Sequence, residues 1–312
     1  MVSDAWHGMG HNSWRDLDLV RSRLAEGADP DQEIRWSGSP LQLAAESGSA
    51  YVVAELAARV RDVDVVYEGR TALWRAVYAN QPDNARALVA AGADPAREMM
   101  AGWSPQRLAL AGPHRDLFGG AGSLSEVESS AVVEAERLNA LLADAWNDGL
   151  GLACVAGIDA AEAVRRLEAV LVPPYEQDED GYEWADYGLL VMWATDVPGG
   201  CVVAQPWGYQ VSAPGVVNPL SVGTKVYGLY ANPKSGNQGS VSWDGETTGW
   251  DLHPGGPAAE NDSAEEVLLS YLYQHEAVGY CCAYTGLRLP DTRAISGPPD
   301  VWLRLPDRDY WH

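Results

Sequence analysis

Three segments near the N-terminus begin alike at nearly equal spacing. They read SPLQLAAESG from Ser39, TALWRAVYAN from Thr71 and SPQRLALAG from Ser104, and their starts are separated by 32 and 33 residues. A fixed period of roughly 20 to 50 residues is typical of supersecondary units that stack side by side. The sequence therefore predicts a stack of similar units in this part of the chain.

Each unit is predicted to be a pair of helices joined by short turns. Ser39, Thr71 and Ser104 stand where a helix begins, because a hydroxyl there accepts a hydrogen bond from the free N–H groups of the first turn. Apolar runs of a second kind lie at residues 16–30, 49–64 and 84–95, and two of them end at Gly27 and Gly92. Glycine adopts the left-handed conformation past a helix end at low cost. The pattern predicts turn, helix, short turn and helix.

The segment from about residue 13 to about residue 112 resembles ankyrin repeats. The motifs that carry the resemblance are SPLQLAA and GADP, which correspond to the family's TPLHLAA helix opening and GAD turn. Gln106 replaces the first core leucine of the last unit, and the first unit keeps only its second helix, as is common at the ends of a stack. The resemblance implies a helical solenoid of about three repeats, a type of stack that forms extended binding surfaces.

A shift in composition divides the chain into two predicted domains. Residues 113–130 are rich in Gly and Ser, which is typical of a connector. The ankyrin-like repeats then occupy residues 1–112, and a second domain occupies residues 131–312. A chain of 312 residues with 46% apolar side chains has enough material for a core in each domain.

The second domain has the pattern of a sheet with accompanying helices. Short apolar runs of strand length are separated by turns such as Pro198-Gly199 and Asp244-Gly245, which predict hairpins. Helices are predicted from Asp159 onward and over residues 263–278. We therefore expect an α+β domain with a mainly antiparallel sheet behind a helical repeat domain.

Residues from about 132 to about 311 also resemble an uncharacterised domain of actinobacterial proteins, some of which carry ankyrin repeats in front of it. The matching features are VAGIDAAEAVRRL, the hairpin VPGGCVVAQPWGY and the closing RLPDRDYW. This resemblance implies a bacterial protein in which the two domains belong together. It implies no activity.

The net charge of −23 excludes two classes of partner. Residues 1–112 carry 11 Lys or Arg against 15 Asp or Glu, and residues 113–312 carry 10 against 29. Such acidity repels phosphates and anionic lipids, so we expect neither nucleic acid nor a membrane surface as a partner. A basic protein surface would suit this charge better.

Two further features indicate where the chain acts. No run of about 18 apolar residues is present and the N-terminus lacks the pattern of a signal peptide, so we expect a cytoplasmic protein. Cys154, Cys201, Cys281 and Cys282 are too few and too irregularly spaced for a disulfide framework. Each is expected to be a small buried hydrophobe, and no metal site or cofactor is predicted.

The turn tips between the repeats are the predicted partner-binding surface. They carry Trp, Tyr, Met, Arg and Ile, and the first four of these residue types are enriched at protein interfaces. The predicted contact residues are Ile34, Arg35, Trp36, Tyr67, Arg70, Met99, Met100 and Trp103. The alternative is that these side chains fold back onto the second domain. A second copy of the chain is an alternative partner.

A cluster of aromatic and polar residues marks a candidate pocket in the second domain. Aromatic residues next to Gly and Pro can line a ligand cleft, or they can pack over a small sheet. The candidate residues are Trp207, Tyr209, Asn232, Lys234, Asn237, Trp243, Trp250, Asp251 and His253.

Three functions are compatible with the sequence. The leading hypothesis is a non-enzymatic adaptor or regulatory protein that binds a protein partner through its repeats, with no catalytic residues. The first alternative is an immunity or antitoxin-like protein whose acidic second domain masks a basic toxin surface. The second alternative is an enzyme with Asp251, His253 and Lys234 as acid–base groups, because residues two apart share one face of a strand.

Overall fold

The computed structural model describes residues 5–34, 37–120, 122–145, 147–174 and 190–311. These residues form two compact units. Unit 1 consists of Met1–Val132 together with Ala258–Leu272, and unit 2 consists of Val133–Pro257 together with Tyr273–His312.

Among the described residues, the elements up to residue 142 are helices, whereas strands and helices are mixed from residue 151 onward. The helices of the described residues are α1 (Leu17–Ala25), α2 (Pro40–Ser47), α3 (Ala50–Ala57), α4 (Ala72–Tyr78), α5 (Pro82–Ala90), α6 (Pro105–Ala111), α7 (Glu126–Leu142), α8 (Ala160–Arg166), α9 (Pro214–Leu220), α10 (Ala264–Leu272), α11 (Ala277–Thr285) and α12 (Arg293–Ser296). The strands are β1 (Gly151–Ala156), β2 (Val170–Val172), β3 (Val191–Val197), β4 (Gly200–Gln205), β5 (Lys225–Tyr230), β6 (Gln238–Trp243), β7 (Glu246–Leu252) and β8 (Val301–Arg304). Short 3-10 helices occur at His11–Arg15, Met100–Gly102 and Gln210–Ser212.

The predicted helix starts of the repeats are confirmed. The hydroxyls of Ser39, Thr71 and Ser104 each accept a hydrogen bond from a backbone N–H three residues later, at 3.3, 3.2 and 3.1 Å. Pro40 and Pro105 occupy the first turns of α2 and α6, where a missing N–H costs no helical hydrogen bond. The repeated sequence therefore produces the same local structure three times.

The helices of unit 1 form two layers. α2, α4 and α6 lie side by side, while α1, α3 and α5 pack next to one another in the second layer. Leu41, Leu73 and Leu108 are completely buried between them. Trp6 and Trp14 are also buried, with ring centroids 5.6 Å apart, and they belong to the same core.

Unit 1 also contains α10, which comes from the second half of the sequence. Val267, Leu268 and Tyr271 of this helix belong to the core cluster of the repeats. The sequence predicts one helix over residues 263–278, but the structure has two, because His275 adopts a left-handed φ of 64° between them. The division of the chain into independently folding domains at residues 113–130 stays a prediction.

Unit 2 is built on an antiparallel sheet. Within the described residues the sheet has eight strands in the order β2-β8-β3-β4-β1-β5-β6-β7, and every neighbouring pair is antiparallel. The hairpins predicted at Pro198-Gly199 and Asp244-Gly245 join β3 to β4 and β6 to β7. β2, β8 and α9 were not predicted, because β2 and β8 are only three and four residues long and α9 contains an internal proline.

Helices cover both faces of the sheet. Ala153 and Val155 of β1 belong to a core cluster with residues of α8 and α9 on one face. Cys154 points the opposite way, and its sulfur lies 3.6 Å from the sulfur of Cys282 in α11. The fold class is therefore a helical repeat stack with an α+β unit, as expected. Among the described residues, no helix is long and apolar enough to cross a bilayer.

Candidate functional site

Three tip turns connect the helix pairs of unit 1. We call residues 31–38, 64–70 and 96–103 the first, second and third tip turns. Each is closed by backbone hydrogen bonds, from Ile34 N–H to Gly38 O at 2.8 Å, between Tyr67 and Arg70 at 3.0 Å, and from Met99 N–H to Trp103 O at 2.7 Å. The second and third turns are therefore short hairpins with defined conformations.

Carboxylates link successive turns. Asp31 accepts hydrogen bonds from the backbone N–H and the Nε–H of Arg61, at 3.1 and 2.7 Å. Asp64 accepts one from the backbone N–H of Asp94 at 3.0 Å. The bonds to Asp31 raise the pKa of Arg61, whereas burial raises the pKa of the Asp64 carboxyl. The links hold neighbouring turns at a fixed spacing.

Two buried polar side chains also connect the first two turns. The Gln42 amide nitrogen donates to the carbonyl oxygens of Val65 at 3.3 Å and Arg70 at 2.9 Å, while its oxygen accepts from the Ser39 N–H at 3.0 Å. Arg75 donates to the Ser37 carbonyl oxygen at 2.8 Å. Burial lowers the pKa of Arg75. Gln42 of α2 therefore fixes the backbone of the second turn, and Arg75 of α4 fixes the end of the first turn.

The second tip turn exposes apolar side chains. The adjacent residues Val65 and Val66 are each 42% exposed. Tyr67 is half-buried, with the guanidinium carbon of Arg75 5.9 Å from its ring centroid. In the first turn Ile34 is half-buried, packed against the core. The predicted contact residues Arg35 and Trp36 lie outside the described residues.

In the third tip turn, Met100 and Trp103 are buried under residues 258–272 of unit 1, whereas residues 96–98 are exposed. Met100 is 4% exposed and Trp103 is 0% exposed, and Met99 is half-buried. The indole N–H of Trp103 donates a hydrogen bond of 2.9 Å to the carbonyl oxygen of Ala264, the first residue of α10. We expected these side chains at the surface, but α10 packs on them. Met100 and Trp103 are therefore unavailable to a partner in this structure.

Arg70 is also engaged by the same segment. Its guanidinium donates a hydrogen bond to the carbonyl oxygen of Ala258. At the other end of α10, the ring of Tyr271 lies 5.5 Å from that of Tyr78, and its hydroxyl donates to the Asn80 side-chain oxygen at 3.4 Å. The segment 258–272 thus contacts the second and third repeats at Ala258, Ala264 and Tyr271.

Unit 2 contains a cleft of about 520 Å³. We call it the aromatic cleft, after its four rings Tyr209, Tyr230, Trp250 and Trp311. Neighbouring ring centroids are 5.9 Å apart for Tyr209 and Tyr230, 5.7 Å for Tyr209 and Trp311, and 6.3 Å for Trp250 and Trp311. The corresponding interplanar angles are 71°, 54° and 85°. The rings therefore meet at steep angles.

Five of the predicted pocket residues line the aromatic cleft, namely Tyr209, Asn232, Lys234, Trp250 and Asp251. Asn232 follows β5 and orders the loop after it, because its side chain accepts from the Lys234 N–H at 2.9 Å. Asp251 has a left-handed φ of 55°, which is uncommon for a residue other than glycine. The lining carries one positive and one negative side chain.

The other predicted pocket residues lie outside the lining: Trp207, Asn237, Trp243 and His253. His253 instead places its Nδ1 3.0 Å from the Asn237 carbonyl oxygen. The strand alternation that would put Asp251 and His253 on one face is lost at the left-handed Asp251. The structure therefore does not bring the three proposed acid–base groups together.

Sequence reasoning missed Tyr230, Gln238, Ser240 and Trp311, which also line the cleft. Gln238 and Ser240 are two apart on β6, and Tyr230 is paired with Gln238 across the sheet. Period-two alternation on the two strands was a signal for these three. Nothing local pointed to Trp311, because it comes from the irregular C-terminal segment.

Residues 11–99 match the family model for ankyrin repeats, which comprises three copies. The match includes α1 to α5 and ends at the third tip turn. No curated protein sequence matches the chain. Ankyrin repeats are modules for protein–protein interaction and typically have no enzymatic activity. The N-terminal part of this chain is therefore an ankyrin-repeat segment.

Proposed function

We propose that this chain is a non-enzymatic adaptor or regulatory protein that binds a protein partner through its first two tip turns. The proposal rests on the repeats, which form extended binding surfaces in stacks of this type. It narrows the surface predicted from the sequence, because Met100 and Trp103 of the third turn are buried under α10. The proposed contact residues are Ile34, Arg35, Trp36 and Tyr67 of the predicted set, together with the exposed Val65 and Val66.

The observation that carries the proposal is the exposure of Val65 and Val66. Two adjacent valines, each 42% exposed, lie on a turn whose backbone is fixed by Gln42 and by its own hydrogen bonds. A rigid turn with exposed apolar side chains loses little conformational entropy when it is covered by a partner. The second tip turn can therefore bind a partner at a low cost in conformational entropy.

The charges around the valines indicate the chemistry of the partner. Glu33 and Glu68 are exposed on the first and second turns. Arg70 does not offset them at the surface, because its guanidinium bonds to Ala258. We therefore expect a partner with an apolar contact area rimmed by Lys or Arg, since complementary charge speeds association.

The experiment uses the full chain as bait in a lysate of the source organism. The double variant Val65→Asp/Val66→Asp places charges in the apolar contact, and we expect it to lose the protein that the unchanged chain captures. The purified partner should bind the double variant at least about tenfold more weakly.

Tyr51→Asp is the matched control. Tyr51 is 78% exposed on α3, in the other helix layer, so an added carboxylate there should leave capture unchanged. Equal capture by the double variant would refute the proposed surface. Equal loss in both variants would show that capture depends on total charge rather than on the tip turns.

A further inference from the structure

We propose that the aromatic cleft of unit 2 is a binding site for a neutral carbohydrate. The cleft volume of about 520 Å³ lies within the usual range for small-molecule sites. This activity is separate from partner binding by the repeats. Ring geometry, an unpaired hydroxyl and charge balance each contribute to the choice of ligand.

The rings favour a ligand with apolar faces that is not itself flat. Insertion of a planar heteroaromatic ring needs two nearly parallel walls, but the neighbouring rings of the cleft meet at 54° to 85°. Trp250 is 54% exposed and Tyr209 is 43% exposed, so ring faces are open to solvent. The C–H faces of a sugar pack on such rings, because aromatic faces carry partial negative charge.

The floor of the cleft offers an unpaired hydroxyl. Ser240 is 3% exposed, and its Oγ has no hydrogen-bond partner among the described residues. A buried hydroxyl without a partner is unfavourable, so a ligand that bonds to it gains affinity. Gly228 lies opposite on β5, and a Cβ there would be 2.9 Å from this oxygen. A side chain at position 228 would therefore displace this hydroxyl.

The other polar side chains of the cleft can form hydrogen bonds with the hydroxyl groups of a sugar. Gln238 provides an amide that can donate and accept hydrogen bonds, as a sugar hydroxyl does. The Asn232 amide already bonds to the Lys234 N–H and the Ser235 hydroxyl, at 2.9 and 2.7 Å, which leaves one N–H and one oxygen lone pair for a ligand. Lys234 and Asp251 contribute opposite charges to the lining. Their balance favours a ligand without net charge, and Lys234 opposes an organic cation held by the rings.

The first experiment presents the full chain to a glycan array of neutral and charged oligosaccharides. We expect binding to neutral glycans, and at least about tenfold weaker binding by Trp250→Ala. Trp243→Ala is the matched control, because Trp243 is 56% exposed on the neighbouring strand but does not line the cleft. It should bind like the unchanged chain.

The second experiment separates ligand binding from a structural role. Ser240→Ala removes a hydroxyl that has no partner in the protein, so the melting temperature should stay the same or rise. Affinity for the glycan identified on the array should fall about three- to tenfold. The Val65→Asp/Val66→Asp variant should keep full glycan binding, which makes the two proposals independently testable.

Several results would overturn the proposal. These are the absence of binding to any printed glycan, equal binding by Trp250→Ala, and binding restricted to charged glycans. Saturable binding of tetramethylammonium chloride, lost in Trp250→Ala and without any glycan binding, would instead identify the cleft as a cage for organic cations.

Discussion

Asn84 is buried in unit 1, where its side-chain amide donates to the carbonyl oxygens of Ala44, Ala45 and Gly48 at 3.2, 3.0 and 3.2 Å. These carbonyls lie at the end of α2, where a helix leaves carbonyl groups without helical partners. Among the bonds of this helix end, only the carbonyl of Ala44 also accepts from a backbone N–H, that of Gly48 at 2.7 Å. Asn84→Ala should lower the free energy of unfolding by about 2 kcal/mol, measured by urea denaturation. Asp83→Ala, one residue away and exposed, should cost less than about 1 kcal/mol. Equal effects would contradict this role for Asn84.

The cysteines behave as the sequence predicts. All four are free and buried, and burial raises the pKa of Cys201 to about 12 and that of Cys154 well above its usual value. We expect no reaction of the folded chain with a thiol reagent at pH 8, and reaction of all four after unfolding. Rapid labelling of the folded chain would contradict the buried positions.

The raised pKa of Cys201 also has a consequence for stability. The folded chain holds this proton more tightly than the unfolded chain, whose thiol titrates near pH 9.0. The protonated Cys201 thiol therefore makes its full contribution to the free energy of unfolding below about pH 9, and this contribution is lost as the pH rises toward about 12. Cys201→Ala should reduce this alkaline loss of stability.

At the level of single residues, the sequence predicted roles that depend on local geometry. The helix caps at Ser39, Thr71 and Ser104 follow from spacing alone, and so does the buried state of the cysteines. The roles of Asn84 and Ser240 depend on atoms that are distant in sequence, so no local pattern indicates them.

At the scale of elements, the sequence patterns did not indicate where α10 packs. Its apolar face is evident from the sequence, but an apolar face does not specify which surface it covers. The covered surface contains Met100 and Trp103, whose residue types occur equally in cores and at interfaces. Their burial in the core was therefore not predictable from composition.

Gly112 provides a test of how α10 packs on α6. Its φ of −100° allows alanine, but an added Cβ would collide with Tyr271 Oη and lie 2.9 Å from Cζ. Gly112→Ala should lower the free energy of unfolding by about 1 to 3 kcal/mol. The same change in a Tyr271→Ala background should cost less than about 0.5 kcal/mol, because the colliding ring is gone.

Gly10→Ala is the control for this pair. No atom lies within 4 Å of a Cβ at Gly10, so the change should be nearly neutral. Additive effects of Gly112→Ala and Tyr271→Ala in the double variant would contradict the packing of α10 against the repeats.

At the scale of the whole molecule, the repeats were predictable because their period and caps recur. The sheet of unit 2 was predictable as antiparallel, because its hairpin turns are marked in the sequence. The sequence did not indicate that residues 258–272 belong to unit 1, because they are far from the repeats along the chain. The aromatic cleft was predictable only in part, because Trp311 comes from a segment distant in sequence from the other lining residues.

We expect the first and second tip turns to bind a protein partner while Met100 and Trp103 of the third turn stay buried under α10. Hydrogen–deuterium exchange of the full chain, measured with and without the captured partner, tests it most directly. We predict slower exchange on binding in residues 31–38 and 64–70, and no change in residues 96–103 or 258–272. Protection confined to unit 2, or faster exchange in residues 258–272 with new protection of residues 96–103, would contradict the account.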